Sequence, residues 1–205
     1  MRPTTIATVA LASAFASAAS ANTIFFESFE SLSTPQFTTV AAPSTFVTSE
    51  ATWTVESGTI DYANANARPE GNPIDGDILI DTYGNSAGTF STELATAAGT
   101  QYELVFLYAR NSNASFANLD IEVESSSSAV LSDSIAHTTD AFDLFTFSST
   151  FVADASVATL RFSAFGSNNN FAGIVIDAIR VSVVPAPATA FLSLAGVAMI
   201  SQRRR

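Results

Sequence analysis

The chain has no cysteine and no lysine. The first absence excludes disulfides, thiol catalysis and cysteine-ligated metals. The second leaves arginine as the only strong base, eight residues against 19 acids. Four of those arginines, Arg2 and Arg203 to Arg205, stand at the ends. The stretch between, residues 22–183, holds Arg68, Arg110, Arg161 and Arg180 against all 19 acids, a net charge of −15 with His137 neutral. Phosphate recognition needs a basic patch, so nucleic acid is excluded as a partner. Docking on anionic lipid is disfavoured for the same reason. The charge favours solubility and attracts cations. Heptads, long helical periodicity and internal repeats are all missing.

What is present is clearest at the two ends. Arg2, the apolar and small-residue run Ile6 to Ala19, and Ala19-Ser20-Ala21 read as an export signal cleaved before Asn22. At the other end, Val184-Pro185-Ala186-Pro187 precedes an almost wholly apolar run, Ala188 to Ile200, and then Arg203-Arg204-Arg205. The seventeen residues 186–202 are fewer than the ~20 that a spanning helix usually needs. The arginines suit the cytoplasmic side of a membrane. This order resembles the PEP-CTERM sorting signal of bacterial exported proteins. Val184 opens the segment; Pro185, Pro187, Gly196 and the three arginines carry the match, and Ala186 stands where that pattern has Glu. The resemblance implies processing by an exosortase-type enzyme, with the tail holding the protein in a membrane transiently or permanently. An ordinary C-terminal anchor is the alternative. The expected organisation is a signal peptide (1–21), one domain (22–183) and a sorting or anchor segment (184–205). The expected location is the cell envelope, the cell surface or the extracellular matrix.

Between the ends, short β-rich segments alternate with Gly, Asn, Ser and Asp. Trp53 to Glu56 and Thr59 to Tyr62 flank Ser57-Gly58 and predict a hairpin. Gln101 to Ala109 is apolar on both faces, which predicts a strand covered on both sides. Leu119, Ile121 and Val123 alternate with Asp120, Glu122 and Glu124, so that strand is wet on one face. Further strands are expected over 78–81, 88–93, 130–134, 143–151, 158–165 and 173–183. About ten short strands without helices predict an all-β sandwich or barrel.

Few residues suggest chemistry. Alternation puts Asp177 on a face with Val175, Ile179 and Val181. A carboxylate there is costly unless it is paired or bound to a cation. Ser28-Phe29-Glu30 brings a second acid to the first strand, which lies near the last in many sandwiches. Glu30 and Asp177 with backbone carbonyls would suit calcium. An arginine partner, Arg180 or Arg161, or loop amides would satisfy Asp177 equally. Asp75, Asp77 and Asp81 lack EF-hand spacing and read as a solvated turn. Trp53 suits either the core or a platform for a sugar ring. Tyr62, Tyr83 and Asn111, at strand ends or in loops, are the other candidate ligand contacts. His137 reads as a loop residue; no nucleophile elbow accompanies it.

Several pieces fall in a telling order: Ser28-Phe29-Glu30, Trp53-Thr54-Val55, Gly58 to Tyr62, Gly99 to Phe106 with Ala109-Arg110-Asn111, Ala158 to Phe162, and Gly173 to Val181. Together they resemble the DUF642-type, choice-of-anchor C family over residues 24–183. That resemblance implies a galactose-binding-like jelly roll. It also implies a structural calcium held by Glu30 and Asp177. Ala178 takes the place of a second acid, and Glu27 that of a glycine. The resulting expectation is a non-catalytic, exported module that binds polysaccharide or exopolysaccharide. A purely structural surface protein is the alternative, and a glycan hydrolase is third.

Overall fold

Side chains that alternate in and out every second residue pay for most of this fold, because each strand then buries one apolar face. The computed structural model describes residues 22–64, 75–138, 143–167 and 171–185. The export signal, Pro187 and Arg203 to Arg205 lie outside these residues. Thirteen strands are described. A seven-stranded antiparallel sheet runs in the order β11 (Phe145–Val152), β8 (Gln101–Arg110), β13 (Ile174–Val183), β6 (Ile78–Asp81), β5 (Thr59–Asn64) and β2 (Phe37–Ala41). Its seventh strand, β1 (Thr23–Glu27), also pairs with β13. A six-stranded sheet runs β10 (Ser128–His137), β9 (Ala117–Ser125), β12 (Val157–Phe165), β7 (Thr89–Ala95), β4 (Thr52–Ser57) and β3 (Ser44–Val47). Among the described residues there is no helix. The molecule is an all-β sandwich of two antiparallel sheets, similar to jelly-roll domains.

The two inner faces make the core. Trp53 sits at its centre with no exposed surface, ringed by Phe25, Phe29, Phe46, Phe90 and Phe162 at centroid distances of 5.5–6.4 Å. β9 follows the expected alternation, with Leu119, Ile121 and Val123 buried.

Several expectations need correction. The hairpin about Gly58 does not form. β4 pairs with β3 and β7, whereas β5 pairs with β2 and β6 in the other sheet. Gly58 is instead the corner at which the chain changes sheets. Its φ is +62°, and an added Cβ would lie 1.8 Å from the Ala87 carbonyl oxygen. A Ser-Gly pair gives the same local signal in both settings. β4 instead makes a hairpin with β3, and a second tight hairpin, β9–β10, is turned by Ser126 and Ser127 at positive φ. β8 is covered on its inner face, while Val105 and Leu107 on the outer face are only half-buried. His137 ends β10 as a buried residue, edge-on to Phe145 and Tyr108. Burial lowers its pKa, and its Nε2 lies 3.4 Å from the Asp143 carbonyl oxygen.

Candidate functional site

The acid pair forms around one short loop. β1 lies against β13, so the turn after β1 reaches the middle of the last strand. Glu27 secures that turn. Its buried carboxylate accepts the Phe29 N–H (2.8 Å), the Thr48 hydroxyl and the Trp53 indole N–H (3.2 Å). Phe29, fully buried at φ +61°, is held in a conformation bulky residues rarely adopt. Glu30 then projects over Gly76, and its carboxylate accepts the N–H groups of Asp77 and Ile78 at 2.8–3.0 Å. A Cβ at Gly76 would lie 2.4–2.8 Å from the Glu30 carboxylate, so only glycine permits this approach.

Asp177 grips the same loop. Its Oδ2 accepts the Asp75 N–H (2.9 Å) and its Oδ1 the Ala178 N–H (2.6 Å). Asp177 has no exposed surface. Burial pushes its pKa up to about 8, and the nearby charges of Asp75 and Glu30 add to the rise against those two N–H bonds. The expected face is wrong, however. Ala178, at φ +49°, makes a bulge between Asp177 and Arg180. Val175 and Asp177 therefore face outward, while Ile179 and Val181 turn into the main core. A loop amide and the amide of the bulge in β13, not Arg180 or Arg161, satisfy the carboxylate.

An all-oxygen pair suits a hard cation such as calcium. Among the described residues no three His, Cys, Asp or Glu side chains gather as a metal site. Backbone carbonyls or water would have to complete the shell. The donors that are present fit such an ion, because Asp177 is a buried carboxylate with no cationic partner among the described residues. Asp75 and Asp77 form an exposed turn as expected, but Asp81 does not belong to it. Asp81 is buried and accepts from Tyr83 N–H, Gly173 N–H and the Asn111 side-chain amide.

Of the candidate ligand contacts, Tyr83 and Asn111 meet at Asp81, whereas Trp53 lies apart in the core. Trp53 is core, so no sugar ring reaches its faces. Asn111 is buried in the Asp81 network and ties loops together. Tyr62 is half-buried, packed against the core from β5. Tyr83 is half-buried in the loop after β6, bridged to Ala87.

A concavity lies elsewhere, on the outer face of the six-stranded sheet. There β4, β7 and β12 form the floor of a groove of about 740 Å³. Its polar wall includes Thr54, Glu56, Ser91, Glu93, Thr159 and Arg161. Arg161 is the hub of the face. Its Nε donates to Glu56 (2.9 Å) and its Nη1 to Glu122 and Glu124 (both 3.3 Å). Ser91 Oγ donates to the other Glu56 oxygen (2.5 Å). Register explains the grouping, since Ser91 and Glu122 flank Arg161 directly on β7 and β9. At one end Ile24 and the half-exposed Phe25 add an apolar wall. Sequence reasoning missed this face. Its signal was the polar half of each alternating strand, which reads as ordinary solvated surface until the strands are placed side by side.

Residues 23–182 match the family described as "Protein of unknown function (DUF642)". The chain belongs to the DUF642 family. No curated protein matches it. Among solved structures, this DUF642 domain is similar to the CBM22-1 xylan-binding domain of Paenibacillus barcinonensis Xyn10C. Identity is 15%, the TM-score is 0.52, and the match covers 83% of this chain and all of that one. The CBM22-1–CBM22-2 tandem of the same enzyme matches at 15% identity and TM-score 0.51, covering 82% of this chain and 48% of that one. The Stig cyclase Fisc of Fischerella sp. TAU matches at 17% identity and TM-score 0.51, covering 82% and 100%. At such identities the likeness establishes the sandwich fold. One of these neighbours is a binding module and another an enzyme, so the fold does not decide the activity.

Proposed function

We propose that this protein is a non-catalytic, exported module that binds polysaccharide through the groove on its six-stranded sheet. The groove itself carries the reading. It is an open channel lined by hydroxyl, carboxylate and guanidinium groups, with Phe25 at one end. Sugars offer hydroxyls to such groups and an apolar ring face to an aromatic side chain. The similarity to a xylan-binding domain supports the same reading at the level of fold. The decisive variant is Thr159→Trp, which fills the groove from an outward-facing position. It should abolish the retardation of the protein in polysaccharide-containing native gels while leaving far-ultraviolet circular dichroism and the melting temperature unchanged. Unaltered retardation would remove the groove from the function.

In this reading Glu30 and Asp177 hold a calcium that braces the turn after β1 against the last strand. The ion contributes stability and no chemistry. The tail from Val184 onward serves as the sorting segment, processed by an exosortase-type enzyme after export and placing the domain at the cell surface or in the extracellular matrix. Deleting residues 186–205 should release the protein from the membrane fraction into the medium. Continued membrane retention would contradict that role.

A further inference from the structure

We infer that the groove selects a glycan without acidic groups and prefers units that bear free amines. This rests on the reading of the groove as the glycan site. Arg161 is the one base that lines it, and Glu50, Glu56 and Glu93 line it as well. The guanidinium is already engaged with Glu56, Glu122 and Glu124. An incoming carboxylate or sulfate would therefore find no free cation and would approach several negative charges. Like charges brought together in this way are a standard means of rejecting the wrong ligand.

The other half of the selectivity comes from the acids that Arg161 does not reach. The Glu50 and Glu93 side chains make no hydrogen bond or ion pair among the described residues, and both line the groove. Ionised carboxylates accept and do not donate. Sugar hydroxyls satisfy them, and an ammonium satisfies them more strongly because the bond is then charge-assisted. Thr54 and Thr159, also on the floor, bond to either kind of unit and so leave the choice to the acids. The Arg161 fan acts differently. Arg161 and the Ser91 hydroxyl each hold one Glu56 oxygen, so that this carboxylate is oriented before a ligand arrives.

The test uses the full chain in mild detergent, titrated at low salt with three hexamers. These are a glucosamine hexamer with free amines, its N-acetylated form, and a galacturonate hexamer. The free-amine chain should bind at least threefold more tightly than the acetylated chain. The galacturonate chain should bind at least tenfold more weakly than either. The amine preference should vanish in the Glu50→Gln/Glu93→Gln double variant, and it should shrink in ~0.5 M salt as screening sets in. Equal binding of the galacturonate hexamer would overturn the inference, as would an amine preference that survives the double substitution. If none of the hexamers binds while another polysaccharide is still retained and Thr159→Trp abolishes that retention, the inference fails and the groove stands. If no polysaccharide binds at all, both fail together.

Discussion

Asp177 holds its proton far above the usual carboxylate range, at about 8, because it is buried without a cation. The ordinary value is 3.8, so between roughly pH 4 and 8 the folded form carries a proton that the unfolded form has lost. That contribution to stability is complete at acid pH and is lost as pH rises towards 8. In chelator, the melting temperature should therefore fall across this window, and Asp177→Asn should flatten the fall. Calcium should raise the wild-type melting temperature at pH 8 and leave the variant unmoved. Equal calcium responses from the two proteins would refute the metal assignment. Glu27 supplies a second prediction at this scale. Glu27→Ala strands the Trp53 N–H, the Thr48 hydroxyl and the Phe29 N–H in the interior. Each buried donor left unpaired costs ~1–3 kcal/mol. Urea denaturation should show a loss of at least ~3 kcal/mol, and a loss below ~1 kcal/mol would mean that the network is not holding the turn.

At the level of elements, Gly58 decides where the chain changes sheets. Gly58→Ala must move Ala87 or shift β4, because a Cβ has no room beside that carbonyl. The variant should melt well below the wild type. An unchanged melting temperature would mean that the corner tolerates a side chain. The same position shows where the sequence could and could not be read. Alternation on β9 and β12 is a property of each strand alone, so those strands were legible. Whether Ser57-Gly58 joins partners in one sheet or strands in two depends on contacts with Ala87, far along the chain. The β9–β10 hairpin was missed because its turn uses Ser126-Ser127 in place of the usual Asn-Gly. Asp177 was rightly singled out as a buried acid beside the start of the domain. Its facing was misread, since a bulge reverses alternation and leaves no mark in residue type. Trp53 was left between core and platform, and only its surrounding phenylalanines settle the matter.

For the whole molecule, the two sheets do different work. The seven-stranded sheet takes the first and last strands side by side and carries the Glu30–Asp177 pair near their junction. The six-stranded sheet turns its open face to solvent, with Arg161 in the middle. In the proposed reading, bracing and binding are thus on separate sheets. Chelation should lower stability without abolishing binding at temperatures where the domain stays folded. The most direct measurement is a broad glycan array probed with residues 22–184, wild type and Thr159→Trp together, in calcium. Selective retention of particular polysaccharides by the wild type, lost in the variant, is the predicted result. No retention by the wild type, or the same retention by both proteins, would contradict the account of the groove.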